Sequence, residues 1–306
     1  MPGGRTERDD GRPRRIAVTG DHGSAAVGDR SAAVGDCPPA LRVRLAQLAP
    51  QPRDVAANLA RACELLADSR EVDLLVLPEL FLSGYQLADV EAVAIELGGP
   101  EVGALRETAR GAETALMIGV AERVDDDAAN SALCIDRSGE LAGVYRKAHL
   151  FGAEQDAYVP GDELATVELS GRRVGPMICF DMEFPQVART LTMRGADLLV
   201  TISANPIRFL ADHDLFARAR ALESGLPHVY VNRVGEETGM TFAGGSLAVD
   251  PDACMLAESG YAVERIVDAA IEAPGRRDPR TRYGALLRGE LYAEPRAPTG
   301  DRRGEA

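Results

Sequence analysis

An α/β fold is predicted for this 306-residue chain by three features. Short runs rich in Val, Ile and Leu recur along it, stretches of helical period lie between several of them, and polar or reactive residues follow directly on apolar strand ends. The strand-like runs fall at 41–48, 73–77, 116–120, 132–136, 173–178, 197–202, 228–234 and 246–249. A helix is expected over 53–67, where Val55, Leu59, Ala62, Leu65 and Leu66 share one apolar face, and others over 186–194 and 212–224. In such folds the residues just beyond the strands line the functional edge.

The ends read differently. Residues 1–40 are rich in Gly, Pro, Arg and Asp and contain a near-repeat, Ser24-Ala-Ala-Val-Gly-Asp-Arg30 followed by Ser31-Ala-Ala-Val-Gly-Asp36. A segment so poor in apolar area cannot offset its ordering entropy, so it is expected to be a disordered extension or sequence upstream of the natural start. The domain is placed at 41–294, with a loose polar tail over 295–306.

Composition narrows the function. With 45% hydrophobic and 27% charged residues the chain has enough apolar matter for a substantial core. A formal net charge of -14 opposes phosphate backbones, so nucleic acid is not expected as a partner. No uncharged apolar stretch approaches the roughly 18 residues of a membrane span, and no apolar block follows the basic N-terminus, so a soluble protein is expected. The five cysteines, Cys37, Cys63, Cys134, Cys179 and Cys254, include no C-x-x-C pair, which points away from a disulfide framework or zinc site and toward a reducing cytoplasm. The four histidines form no H-x-x-x-H or H-E-x-x-H pattern, so no metal is expected.

Three segments place reactive side chains after apolar runs. In Asp73-Leu-Leu-Val-Leu-Pro-Glu79-Leu-Phe-Leu-Ser-Gly-Tyr85, Pro78 stops the strand and delivers a carboxylate among apolar neighbours. Alone, Glu79 is also the ordinary start of a surface loop; desolvated, its pKa rises toward that of a general base. In Gly143-Val-Tyr-Arg-Lys147-Ala-His149-Leu-Phe151-Gly-Ala-Glu154, the charges make either a solvated edge or, with Lys147 turned inward, a contact for an oxyanion. His149 is read as structural. In Arg173-Val-Gly-Pro-Met-Ile-Cys179-Phe-Asp-Met-Glu183, an apolar strand ends on a cysteine. Such a cysteine is either an inert core residue or, at a strand-to-helix turn, a nucleophile whose thiolate and oxyanion are held by following amides such as that of Phe180. Thiolate character there would make Cys179 alkylate before Cys63, Cys134 or Cys254.

These segments, in this order, resemble the nitrilase-like carbon-nitrogen hydrolase superfamily over about 41–292. Arg42-Val-Arg-Leu-Ala-Gln47, Arg218-Ala-Arg-Ala-Leu-Glu223, Asn232-Arg-Val-Gly235 and Gly244-Gly-Ser-Leu-Ala-Val-Asp-Pro251 add to the resemblance. It implies a four-layer α-β-β-α sandwich, dimerising to an eight-layer stack, and a homodimer or higher homo-oligomer. It also implies a cofactor-free site with Glu79 as base, Lys147 as oxyanion ligand and Cys179 as nucleophile. Glu154 matches a second glutamate that orients the lysine or substrate, with Asp156 a close rival, and Phe180, Tyr85 and Asn205 are carried over as oxyanion- or substrate-binding positions. The segment Arg-Gly-Glu-Leu-Tyr292 is similar to one that often crosses the dimer interface, although Gly289 departs from its usual proline.

The run Cys-Phe-Asp-Met-Glu-Phe-Pro and the absence of tryptophan resemble the amidase branch more than nitrilases, which more often show Cys-Trp-Glu. The expected reaction is hydrolysis of a small carboxamide to acid and ammonia through an acyl-thioester. N-carbamoyl (ureido) hydrolysis is the first alternative, nitrile hydrolysis the second, and a binding or redox-sensing protein the non-enzyme alternative.

Overall fold

The computed structural model describes residues 39–273, 283–288 and 291, all within the unit Pro38–Ala306. The extension expected over 1–40 lies outside the described residues except at its last two positions; the tail at 295–306 lies wholly outside them, and the segment ending at Tyr292 largely so.

Two six-stranded sheets make the two inner layers. The first contains β1 (Leu41–Gln47), β2 (Leu74–Val76), β3 (Ala115–Val124), β4 (Asp127–Ile135), β5 (Leu141–Arg146) and the late strand β14 (Arg265–Ile271), in the order β14-β1-β2-β3-β4-β5. The second contains β6 (Val167–Leu169), β7 (Arg172–Ile178), β8 (Leu198–Ser203), β9 (His228–Asn232), β12 (Leu247–Val249) and β13 (Met255–Glu258), in the order β13-β12-β9-β8-β7-β6. A two-stranded ribbon, β10 (Val234–Glu237) with β11 (Met240–Ala243), stands apart from both. In each sheet a parallel trio, β1-β2-β3 or β7-β8-β9, is flanked by antiparallel strands.

The side-chain period of two explains the layering. Leu41, Val43, Leu45, Leu74, Val76 and Met117 of the first sheet meet Val174, Ile178, Leu198, Val200, Ile202, Val229 and Val231 of the second in one buried cluster. The intervening residues Leu75, Leu77, Leu116 and Ile118 turn outward and are covered by Ala62 and Leu66 of α1 (Val55–Ala67) and by Val102, Leu105 and Ala109 of α2 (Pro100–Ala112). On the other side Met177 and Leu199 pack on Val187, Ala188 and Leu191 of α4 (Pro185–Met193), and Tyr230, Leu247 and Val249 on Ala217 and Ala221 of α5 (Leu210–Ser224). The result is the expected α-β-β-α sandwich. Central strands buried on both faces read as continuous apolar runs, which is why 73–77 and 197–202 stand out in the sequence.

Local chemistry adjusts several boundaries. The first helix begins at Val55 and not at 53, because Asp54 caps it by accepting the Ala57 N–H at 2.9 Å. The helix α2 was not among the expected elements; Val102, Leu105, Ala109 and Ala112 do repeat at helical spacing, but Gly103 and Gly111 interrupt the stretch. The strand β14 pairs antiparallel with β1 from Leu41↔Ile271 to Gln47↔Arg265, fastened at its middle by Arg44 and Asp268 at 2.8 and 2.9 Å. Among the described residues no helix is long and apolar enough to cross a membrane.

One buried histidine sets an acid sensitivity away from the strand ends that carry the reactive residues. His228, fully buried on β9, holds Nδ1 2.9 Å from the Ala217 carbonyl and Nε2 2.8 Å from Thr201 Oγ1. Burial lowers its pKa from 6.5 to about 4, helped by the charge of Arg220. The unfolded chain therefore binds a proton that the folded chain refuses between those values, and stability falls as pH drops through that window. The loss is on the order of 3 kcal/mol. Urea unfolding at pH 7 and pH 4.5 checks it: a loss undiminished in His228→Gln would place the acid sensitivity elsewhere.

Candidate active site

The parallel strands deliver their following residues to one place. After β2, Pro78 turns the chain so that Glu79 and Leu80 run directly over Gly119 of β3, with Gly119 N–H donating to the Pro78 carbonyl at 3.1 Å. A Cβ at position 119 would stand 2.5 Å from Glu79 Cα, so only glycine allows this approach. Glu79 is completely buried. Its Oε1 accepts from Asn130 Nδ2 and from Lys147 Nζ, both at 2.7 Å, and its Oε2 accepts the Ala204 N–H at 2.6 Å from beyond β8. The two sheets are thereby joined through one carboxylate.

Lys147 follows β5 and is also buried. Its ammonium lies between Glu79 and Glu154, 2.8 Å from Glu154 Oε2. Glu154, which opens the short helix α3 (Glu154–Ala157), further accepts from Tyr85 OH at 2.7 Å and from the Phe151 N–H at 2.9 Å. Asp156 is exposed on the same turn, so Glu154 and not Asp156 is the carboxylate that reaches the lysine. Burial would strip the lysine of its proton, but the two carboxylates outweigh it and hold the ammonium well above its ordinary pKa. Burial pushes Glu79 upward, with the Lys147 charge opposing.

Cys179 follows the last residue of β7 and opens a 3-10 turn, Cys179–Glu183. Its φ of +45° is left-handed, a strained conformation for a residue with a Cβ. The Phe180 amide lies before the first intrahelical bond of that turn and is free to meet a ligand. Asp181 locks the turn: its buried carboxylate accepts from Tyr145 OH at 2.8 Å, the His149 N–H at 2.9 Å and the Ile178 N–H at 3.2 Å, while His149 Nδ1 stands 2.9 Å away. His149 also stacks on Phe184 with centroids 4.0 Å apart, a structural position as expected. Burial raises the Cys179 thiol pKa, and the Glu79 charge raises it further. Both effects favour the protonated thiol over the thiolate. Burial thus opposes the thiolate character expected at a strand end, and Cys254 is exposed whereas Cys179 is 9% accessible.

A narrow pocket opens on Cys179, and Tyr85, Phe180 and Asn205 line it together with Glu154, Phe151 and Phe209. Asn205 is fixed by its N–H to Asn232 Oδ1 at 2.8 Å and by its side-chain amide to the Phe209 carbonyl at 3.2 Å. Tyr85 is held from behind, since Glu237 of the β10–β11 ribbon accepts its N–H at 3.0 Å and pairs with Arg233 at 2.6 Å. Sequence reasoning missed Asn130, Asp181 and Glu237. Each also takes a partner from a distant part of the chain, Glu79 for Asn130, Tyr145 and His149 for Asp181, and Tyr85 for Glu237. Among the described residues no cluster of His, Cys, Asp and Glu is arranged to hold a metal.

An α-β-β-α sandwich that gathers a glutamate, a lysine and a cysteine at the ends of its strands defines a class of hydrolase. A sequence model of the carbon-nitrogen hydrolase family matches residues 42–279, and the chain belongs to that family. An (R)-stereoselective amidase from a Pseudomonas species is 38% identical over 223 residues, covering 72% of this chain and 81% of the relative. A nitrilase from Pyrococcus abyssi is 35% identical over 241 residues, covering 76% and 90%. The crystal structure of an amidase from Nesterenkonia sp. superposes with a TM-score of 0.73 at 28% identity, covering 84% of this chain and 97% of that one. A mutant of that amidase carries the acetamide moiety of fluoroacetamide covalently on its active-site cysteine, and another was solved with butyramide.

Proposed function

We propose that the chain hydrolyses a small carboxamide to a carboxylic acid and ammonia, with Cys179 as nucleophile, Glu79 as proton carrier and Lys147 with the Phe180 N–H as oxyanion donors. The observation that carries this reading is the lysine clamped between Glu79 and Glu154 beside Cys179. A thiol must lose its proton as it attacks, and a carboxylate with a raised pKa is suited to take it. The Cys179 proton passes to Glu79, the S–C bond forms, and the amide oxygen becomes an anion held by Lys147 and the Phe180 N–H. Protonated Glu79 then gives its proton to the amide nitrogen as the C–N bond breaks, and ammonia leaves. Water attacks the thioester while Glu79 takes its proton; collapse breaks the C–S bond and returns that proton to sulfur.

Amide is favoured over carbamoyl amino acid by the cavity walls. An N-carbamoyl amino acid brings a carboxylate that needs a cation; among the described residues no Arg is in the pocket lining beside Cys179, and Lys147 is already paired with Glu79 and Glu154. Amide is favoured over nitrile by the donors, because an amide accumulates charge on oxygen, whereas a nitrile builds a nitrogen anion that must be protonated. Ammonia release across simple amides, N-carbamoyl amino acids, ω-amido acids and nitriles tests the reading. The expected order puts an uncharged or cationic amide first in kcat/KM; a nitrile or carbamoyl compound ahead of every amide would refute it.

A further inference from the structure

The cavity beside Cys179 contains a carboxylate that the reaction leaves unused. Glu154 is committed to Lys147, Tyr85 and the Phe151 N–H. Glu183 also lines the cavity, and its half-open side chain has one partner among the described residues, His213 Nε2, at 3.3 Å. His213 lines the same wall and is itself anchored, with Nδ1 2.9 Å from Tyr230 OH. In the tautomer with the proton on Nε2 it donates to Glu183 and keeps the carboxylate facing the cavity. The nearby Arg220 is occupied elsewhere, donating to the Met182 and Glu183 carbonyls at 2.8 and 3.0 Å and to Glu223 at 2.8 Å. Among the described residues the cavity thus presents an incompletely paired anion, while the site's lysine, Lys147, is committed to Glu79 and Glu154.

We infer that Glu183, oriented by His213, is a subsite for a protonated amine on the acyl portion of the substrate, so that ω-amino carboxamides are the preferred class. The inference rests on the carboxamide reading above and refines it. Cys179 and Glu183 are the first and last residues of one 3-10 turn. At about 2.0 Å of rise per residue their Cα atoms stand roughly 8 Å apart, which suits an amine separated from the carbonyl carbon by several bonds. A charge-assisted hydrogen bond to a partly desolvated carboxylate is stronger than a neutral one, and it discriminates against an apolar group of the same length. The chain's net charge of -14 favours cations at its surface in the same direction.

Three amides of similar length, 4-aminobutyramide, pentanamide and succinamate, separate the possibilities by charge. In the wild-type protein kcat/KM for 4-aminobutyramide is expected to exceed that for pentanamide at least tenfold, with succinamate slowest. Glu183→Gln is expected to lower the ratio of the first two at least tenfold. Calorimetric binding of 4-aminobutyramide to Cys179→Ala, with and without Glu183→Gln, provides a readout independent of turnover and is expected to weaken by a similar factor. Equal rates for the cationic and neutral amides, or equal losses for both on Glu183→Gln, would overturn the subsite. If no amide turns over while binding still depends on Glu183, the subsite stands and the hydrolytic reading fails.

Discussion

Cys179→Ala is expected to remove turnover, by at least about ten-thousandfold, while the protein stays folded. Among the described lining residues no second thiol and no Ser or Thr hydroxyl shares the cavity. The structural cost is small, because alanine keeps the Cβ and the loss of one buried sulfur costs about 1 kcal/mol. The strained backbone adds a second expectation. Glycine accepts the +45° φ without the penalty of roughly 1–2 kcal/mol that any L-residue carries there. Cys179→Gly should therefore be at least as stable as Cys179→Ala despite its smaller side chain, and equally inactive. Ammonia release and urea denaturation on both variants decide it. Residual turnover within a hundredfold of wild type would mean that the nucleophile is another group.

Lys147→Ala is the second large effect, and it has two parts. Loss of an oxyanion donor costs about 3–4 kcal/mol of transition-state stabilisation, a hundredfold or more in kcat. The substitution also leaves Glu79 and Glu154 facing each other with no cation, in a site where all three side chains are 0–1% exposed. Breaking a buried ion pair destabilises by about 3–5 kcal/mol, and the uncompensated carboxylates relieve it by binding a proton. The deficit of this variant relative to the wild type should accordingly shrink as pH falls, opposite in sign to the effect of His228. A protonated Glu79 is also a poor proton acceptor, so lowering the pH recovers stability but not rate. The check is kcat and the denaturation midpoint measured in parallel; a variant within fivefold of wild-type kcat would remove Lys147 from the oxyanion role.

The parts of this architecture that were legible in the sequence are those whose cause is local. A strand buried on both faces must be apolar throughout, so 73–77, 173–178 and 197–202 announce themselves, and so do the residues their ends deliver, Glu79 and Cys179. Lys147 and Glu154, seven residues apart, were readable by resemblance, although spacing alone did not separate Glu154 from Asp156; burial does. What stayed hidden depends on register. Asn130 is one of many small or polar residues in β4, and only its pairing opposite Ala121 places its amide on Glu79. Asp181 follows the cysteine by two residues yet acts through Tyr145 and His149, which arrive from another strand. The strand β14 alternates weakly, with most of its side chains partly or fully exposed, and is specified by its ladder to β1. The surroundings of Cys179 stay hidden for a related reason. A strand-to-helix turn favours a thiolate, whereas burial beside Glu79 favours the thiol, and no linear pattern reveals the second effect.

Carboxamide cleavage through an acyl-thioester on Cys179 is expected to show in how the products partition. With hydroxylamine present, butyramide and ethyl butyrate would form the same butyryl thioester, so each should give butyrohydroxamate and butyrate in one common ratio set only by how hydroxylamine and water compete for it. Cys179→Ala should give neither product from the amide. Direct attack of water on the amide, with no covalent intermediate, would make the ratio depend on the leaving group, and unequal ratios from the two substrates would contradict the account.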